Sequence, residues 1–124
     1  MTSPTGTGVA YVMLGVTDMD RSLAFYEQTL GRNVLFKAEA SLAFIDGGPI
    51  TIGLNTGLAA RRQPVAGAME LVFSVESVKA SWRALTAKGV PFVTEPRLAT
   101  GTNWVATLSD PDGHYITLFG PEGE

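Results

Sequence analysis

The sequence has no cysteine and only one histidine, His114. Without cysteine, the chain has no disulfide framework, no thiolate metal site and no cysteine nucleophile. With a single imidazole, it also has no histidine-rich metal site. These two absences exclude the kinds of reactive site that depend on thiols or on several imidazoles.

A surplus of positive charge and a long apolar run are also missing. Nine lysines and arginines stand against twelve aspartates and glutamates, and the formal net charge is −3. Nucleic-acid binding needs a clustered cationic face, and a transmembrane helix needs about 18 consecutive apolar residues. The first eight residues have no basic and no apolar region, so no signal peptide is expected. We therefore expect a mildly acidic, cytoplasmic protein that binds neither nucleic acid nor membrane.

An internal repeat organises the sequence, whose 124 residues are 45% hydrophobic and therefore sufficient for one domain with a core. An apolar strand that closes on a helix-capping residue occupies residues 9–18, and the same pattern returns at residues 69–77. A helical stripe follows each cap and ends at a glycine, Gly31 in the first copy and Gly89 in the second. Each copy thus begins with a strand and a helix.

Three short strands, separated by turn signals, are predicted after each helix. They are residues 33–38, 41–46 and 50–55 in the first copy and residues 91–95, 103–109 and 115–119 in the second. The sequence therefore predicts an α+β domain over residues 9–120 that consists of two βαβββ modules. Module one is 9–55, a linker is 56–67, module two is 68–120, and residues 1–8 and 121–124 are a flexible N-terminus and a C-terminal tail. An ordinary α+β domain with a coincidental repeat is the alternative.

Strand alternation predicts which side chains line a cleft. On the first and last strands of each module an aliphatic set should lie under the helix, and a mixed set should face the concave side. A mostly apolar face with a few polar groups is typical of a small-molecule site. The predicted ligand-binding residues are Tyr11, Met13, Thr51, Glu70, Val72, Trp104, Thr117 and Phe119. The face of Trp104 is left open, because this residue begins its strand.

Several short motifs, taken in order, resemble the vicinal oxygen chelate superfamily of glyoxalases, bleomycin-resistance proteins and extradiol dioxygenases. They are Val16-Thr17-Asp18 with Ser22, Phe25-Tyr26, Leu30-Gly31, Gly89-Val90-Pro91 and Asp110-Pro111-Asp112-Gly113-His114-Tyr115-Ile116. The resemblance covers nearly the whole chain. It implies that the paired modules curl into an open barrel around a ligand site, usually in a homodimer. Unpaired sheet edges also favour association between chains.

The resemblance further implies where a metal ion would bind. Metal-dependent members place ligands on the first and last strands of each module, and these positions fall on Tyr11, Thr51, Glu70 and Thr117. One carboxylate does not hold a divalent ion unless further ligands converge on it. We therefore expect no metal and no cofactor, and a metalloenzyme of the glyoxalase or dioxygenase type is the less favoured function. A residual metal site completed by a partner subunit or by oxygens of the substrate is the alternative.

Glu70 is the residue on which the functional hypotheses depend. It is interpreted as a counter-ion for a basic or hydrogen-bonding ligand, or as a general acid or base. The alternative is a solvated carboxylate, or one paired with a cation such as Arg97. His114, at the end of a turn motif, is interpreted as a residue that caps local backbone groups, although its role is left open.

Two functions follow from these observations. The first is a metal-independent, dimeric protein of the bleomycin-resistance type that confers antibiotic resistance by sequestering a small aromatic or amphipathic compound. The second is a metal-free isomerase, cyclase or lyase in which Glu70 is the acid or base and Tyr11 donates a hydrogen bond. The sequence leaves open whether the chain is an enzyme, which ligand it binds, and whether one chain or two form each cleft.

Overall fold

The computed structural model describes Pro4, Gly6 and residues 9–124, so most of the terminus expected to be flexible lies outside the described residues. The chain divides into two compact units, with the boundary between Gln63 and Pro64. No helix among the described residues is long and apolar enough to cross a membrane.

The first unit is a four-stranded mixed sheet with helical segments. Its elements are β1 (Tyr11–Gly15), α1 (Met19–Leu23) continued by a π-helical segment (Ala24–Thr29), β2 (Val34–Ala38), β3 (Leu42–Asp46), β4 (Thr51–Asn55) and α2 (Thr56–Arg61). The strand order is β1-β4-β3-β2; β1 runs parallel to β4, and the other pairs are antiparallel.

The second unit repeats this topology. Its elements are β5 (Glu70–Ser74), α3 (Val78–Ala87), β6 (Phe92–Thr100), β7 (Asn103–Ser109) and β8 (Tyr115–Pro121). The strand order is β5-β8-β7-β6, and β5 runs parallel to β8. The prediction of an α+β fold with two βαβββ modules is thus confirmed, and strand bounds differ by a few residues.

Local chemistry explains where the helices start and stop. The side chain of Asp18 accepts a hydrogen bond from the Arg21 amide, and Ser77 accepts one from the Ala80 amide; these are the expected N-caps. Gly31 and Gly89 follow the helices with φ of 73° and 85°, which favours glycine.

Each core lies on the sheet face that the helices cover. In the first unit Leu14, Ile45 and Leu54 are fully buried with Tyr26 of the π-helical segment. In the second unit the corresponding residues are Ala106, Leu108, Ile116 and Leu118, and α3 contacts β6, β7 and β8. Leu14, Leu54, Ile116 and Leu118 are aliphatic positions of the predicted alternation, so strand periodicity identified the buried face on the first and last strands.

The segment predicted as a linker, residues 56–67, begins with the short helix α2. Asn55 caps this helix by accepting a hydrogen bond from the Leu58 amide at 3.1 Å. The helix packs on β1, and a Cβ at Gly15 would stand 3.1 Å from the Ala59 nitrogen, so glycine permits the close approach. The loop-like composition of the segment concealed this cap.

Two further bounds differ from the prediction. β6 runs five residues beyond the predicted end, past Pro96, because its register against β7 shifts between Thr94 and Arg97 and a bulge tolerates proline. The expected tail is bonded to α3: the Glu122 carbonyl accepts hydrogen bonds from the Lys79 amide and the Ser77 hydroxyl.

Candidate functional site

The second unit places one carboxylate and two hydroxyls together on the sheet face opposite α3. Glu70 of β5 pairs with Tyr115 of β8, so Thr117 is its diagonal neighbour on that face. The Thr117 Oγ1 donates to Glu70 Oε2 at 2.5 Å. Thr107 of β7, directly opposite Thr117 in register, has its Oγ1 at 2.8 Å from that of Thr117. These three side chains form a hydrogen-bonded chain across three strands, named here the Glu70 chain.

Burial differs sharply along the Glu70 chain. Thr107 and Thr117 are 8% and 5% exposed, whereas Glu70 is exposed. The two buried hydroxyls bond each other, and that of Thr117 also bonds the exposed carboxylate, so both have the partners that buried polar groups need. The Glu70 carboxylate therefore lies at the surface and is held there by its hydrogen bond to the buried Thr117.

No ion pair neutralises Glu70 within the described part of the second unit. The alternative partner, Arg97, forms no ion pair with it, and Lys79 pairs instead with Glu122 at 2.7 Å. Only the Thr117 hydroxyl bonds the Glu70 carboxylate within this unit. Glu70 thus lies on the predicted face, and the alternative in which Arg97 pairs with it is not seen among the described residues.

Apolar side chains accompany Glu70 on the same face. Val72 lies opposite Thr117 in register and is 56% exposed, and Phe119 is half-buried. Both belong to the predicted ligand-binding set. The face combines one anionic group with apolar surface, which is the composition of a site that orients a small molecule.

The first unit carries aromatic rings on its corresponding sheet face. The Tyr11 ring lies 4.8 Å from that of Phe44, and Phe44 lies 6.1 Å from Phe36, measured between centroids. Tyr11 and Phe36 are more than half exposed. These three residues, on β1, β3 and β2, are named here the aromatic row.

Met13 and Thr51 complete the first-unit part of the predicted site. Met13 covers Gly53, where an added Cβ would collide with its thioether and would stand 3.2 Å from the Phe44 ring. Thr51 is half-buried and lies between Tyr11 and Asp46 in register. The prediction that Tyr11 and Thr51 share a hollow with Glu70 and Thr117 stays a prediction.

Trp104 lies on the opposite side of its sheet from Glu70. It pairs with Gly120 and shares the face of its strand with the buried Ala106 and Leu108, under the helix. Its ring is 5.8 Å from the Lys79 Nζ of α3, a cation–π contact. The open question about its face is thus answered in favour of the helix side.

His114 is 4% exposed and lies in the turn before β8. Its amide donates to Asp110 Oδ1 at 2.8 Å, and its carbonyl accepts from the Asp110 amide at 2.8 Å. In the first of these bonds the Asp110 side chain caps the backbone amide, whereas the prediction gave the capping role to His114. A role for the imidazole in ligand chemistry stays untested.

The four family metal positions offer a poor donor set for a divalent ion. They supply one carboxylate, one phenol and two hydroxyls, and the proton of the Thr117 hydroxyl points at the carboxylate. Divalent ions prefer several carboxylate or imidazole ligands. In the described ranges, 9–124 with Pro4 and Gly6, no group of at least three histidine, cysteine, aspartate or glutamate side chains could hold a metal. The residues present do not fit a metal ion.

Three members of these clusters were not identified from the sequence. Thr107, Phe36 and Phe44 stand on predicted strands, but their neighbours depend on register. Alternation alone gives the face of a residue and not its cross-strand partner. The threonine pair on consecutive antiparallel strands was the signal that could have located Thr107.

Comparisons of the sequence with protein families and with known proteins all point to one superfamily. The family model for the Glyoxalase/Bleomycin resistance protein/Dioxygenase superfamily matches residues 8–118. A probable lactoylglutathione lyase of Vibrio cholerae is 30% identical over 122 residues, covering 89% of this chain and 88% of the relative. A probable lactoylglutathione lyase of Synechocystis is 31% identical over 119 residues, covering 87% of this chain and 91% of the relative.

Solved structures show the same fold at lower identity. The lactoylglutathione lyase from Agrobacterium tumefaciens has a TM-score of 0.76 and is 17% identical, with coverage of 94% of this chain and 95% of that one. A glyoxalase, bleomycin resistance protein or dioxygenase from Nocardioides also has a TM-score of 0.76. It is 17% identical, with coverage of 100% of this chain and 91% of that one. At this identity the likeness concerns the fold alone.

Proposed function

Because the chain belongs to the glyoxalase, bleomycin-resistance and dioxygenase superfamily, we propose that it binds a small aromatic or amphipathic molecule without a metal ion. The observation that carries the proposal is the aromatic row. Two of its three rings, those of Tyr11 and Phe36, are more than half exposed, and each of them contacts the ring of Phe44. Clustered exposed rings favour stacking on a planar ligand.

The Glu70 chain, beside the apolar Val72 and Phe119, gives the second unit a candidate binding face of its own. Its carboxylate is anchored by Thr117 and has no cationic partner within its own unit among the described residues. An anchored, unpaired carboxylate favours a ligand with a hydrogen-bond donor or a positive charge. The poor donor set at the four family positions supports binding without a metal.

Calorimetric titration with aromatic metabolites and antibiotics tests this proposal. We expect at least one compound to bind below millimolar concentration, and Tyr11→Ala to weaken its binding about fivefold, because an aromatic contact contributes about 1 kcal/mol. Val93→Ala, a truncation of another exposed hydrophobic residue in β6, is the matched control and should leave the affinity unchanged. Absence of binding below millimolar concentration across the panel would contradict the proposal.

The relatives favour a second candidate. Several are named lactoylglutathione lyase at about 30% identity, which favours a glyoxalase-type enzyme. In this chain Glu70 would act as acid or base and Tyr11 as hydrogen-bond donor, in an isomerisation, cyclisation or lyase reaction. The Thr117 hydroxyl, which bonds Glu70 Oε2, would hold the carboxylate in position for this role.

Glu70→Gln distinguishes the candidates. Loss of turnover with retained affinity would support the enzyme, and parallel loss of affinity would support the binding protein. An assay for lactoylglutathione lyase activity, with and without added divalent ions, measures the enzyme directly. Activity that requires an added ion would contradict metal independence.

Three further expectations belong to the same proposal. A homodimer should appear in light scattering at micromolar concentration, and a monomer alone would contradict it. A cytoplasmic location is tested by cell fractionation. A role in antibiotic resistance is tested by comparing drug sensitivity of cells that express the wild type or Tyr11→Ala.

A further inference from the structure

The direction of the hydrogen bonds in the Glu70 chain is set by proton count. An ionised carboxylate only accepts, so the one proton of the Thr117 hydroxyl is donated to Glu70 Oε2. The Thr117 oxygen then accepts the proton of Thr107. Both hydroxyl protons are therefore used inside the sheet, and the chain offers no proton to a ligand.

The outer end of the chain is an acceptor alone. Glu70 Oε1 has no hydrogen bond within the described residues of the second unit. The phenol of Tyr115, which pairs with Glu70 in register, is directed to the preceding loop, since a Cβ at Gly67 would stand 3.3 Å from its hydroxyl. A ligand at Glu70 must therefore bring its own donor.

We propose that the Glu70 chain selects aromatic ligands carrying a protonated amine or similar nitrogen donor, and that Thr107 is a positioning residue for this selection. The inference rests on the proposed ligand-binding function and names its ligand class. The buried Thr107 hydroxyl donates its hydrogen bond to the Thr117 oxygen. The Thr117 hydroxyl therefore keeps its own hydrogen bond directed at the Glu70 carboxylate. Hydrogen bonds in such a chain strengthen one another, so Thr107 acts on the ligand only through its neighbours.

Three naphthalene probes of one size measure the selection: naphthylmethylamine, which is a cation at neutral pH, naphthylmethanol, which is neutral, and naphthoate, which is an anion. We expect the amine to bind about tenfold more tightly than the alcohol, because a charge-assisted hydrogen bond contributes about 1.5 kcal/mol. We expect naphthoate to bind most weakly, because Glu70 repels it. Added salt should reduce the preference for the amine.

Valine substitutions test the chain itself. Thr117→Val should weaken amine binding about fivefold to tenfold, and Thr107→Val about threefold, with little change for the alcohol. Thr117→Ser and Thr107→Ser should restore the preference. Thr94→Val is the matched control, because Thr94 is paired with Thr107 in register and its Oγ1 is buried without a hydrogen-bond partner in the described part of the chain. Thermal melts of each variant show that it is folded.

The outcomes separate this inference from the proposed function. Equal binding of the three probes, or equal loss for amine and alcohol in Thr107→Val, would overturn the selection while the binding function stands. Absence of binding by all three probes and by the metabolite panel would overturn both. A Thr94→Val variant that loses the amine preference as strongly as Thr107→Val would also overturn the role of the chain.

Discussion

The two units share a strand order and differ in what their open sheet faces carry. The first has the aromatic row, in which the Tyr11 ring lies 4.8 Å from that of Phe44. The second has the Glu70 chain, in which three side chains on neighbouring strands are linked by hydrogen bonds. The buried faces of both units are aliphatic. The repeated topology is thus specified by the covered faces, which leaves the open faces available for different chemistry.

The largest expected effect tests whether the two cores are equivalent. Leu54→Ala in the first unit and Leu108→Ala in the second should each lower the free energy of unfolding by about 2–5 kcal/mol, because both side chains are fully buried. Both tryptophans, Trp82 and Trp104, stand in the second unit. Urea unfolding followed by fluorescence therefore reports that unit, and circular dichroism reports both.

Coincident transitions would show that the units unfold together. Leu35→Ala, which truncates a side chain that is 57% exposed, is the control and should cost less than about 0.5 kcal/mol. A loss below about 1 kcal/mol in only one of the two core variants would contradict the equivalence of the cores.

The next effect compares two glycines on last strands. An alanine Cβ at Gly120 would collide with the backbone carbonyl of Val75, which has little freedom to move. At Gly53 the obstacle is the flexible end of Met13. Gly120→Ala should therefore lower stability by about 2 kcal/mol or more, and Gly53→Ala by less than about 1 kcal/mol. Thermal melts measure both, and the reverse order would contradict the packing described.

A smaller effect compares the caps of α2 and α3. Asn55→Ala removes the bond to the Leu58 amide and should cost about 1 kcal/mol. Ser77→Ala removes the bond to the Ala80 amide and also the donor to the Glu122 carbonyl. It should cost about 1–2 kcal/mol, measured by urea unfolding. Equal costs would indicate that the Glu122 contact contributes nothing.

The smallest effect concerns the ion pair between Lys79 and Glu122. The two side chains are 37% and 38% exposed, so water and salt screen the 2.7 Å contact. Glu122→Gln should change stability by less than about 0.5 kcal/mol in a thermal melt at physiological salt. A loss above about 1 kcal/mol would show that the pair contributes more than its exposure indicates.

The sequence predicted the elements of the fold because their signals are local. Helix caps at Asp18 and Ser77, glycine stops and strand alternation depend on neighbours within a few residues. The same signals misjudged the segment after Asn55, where loop-like composition concealed a cap, and the strand beyond Pro96, where a bulge accommodates the proline. In both places tertiary contacts decide the structure.

The candidate site was predicted only in part for the same reason. Alternation placed Glu70, Thr117 and Tyr11 on the correct faces, and chain order could not reveal Thr107 or Phe44 as their partners. Those partners come from strand register, which hydrogen bonding over long sequence separations determines. Composition indicated that carboxylate, hydroxyl and aromatic groups would form the site, and strand register determined which of these side chains contact each other.

The Glu122 carbonyl, held by Ser77 and Lys79, has a practical consequence for handling the protein. Deleting the residues from Glu122 onward would remove the carbonyl that accepts hydrogen bonds from the Lys79 amide and the Ser77 hydroxyl at the first turn of α3. An affinity tag attached directly to Glu124 would crowd the same turn, because Gly123 lies against Ser77. Expression plasmids should therefore separate any C-terminal fusion by a flexible spacer.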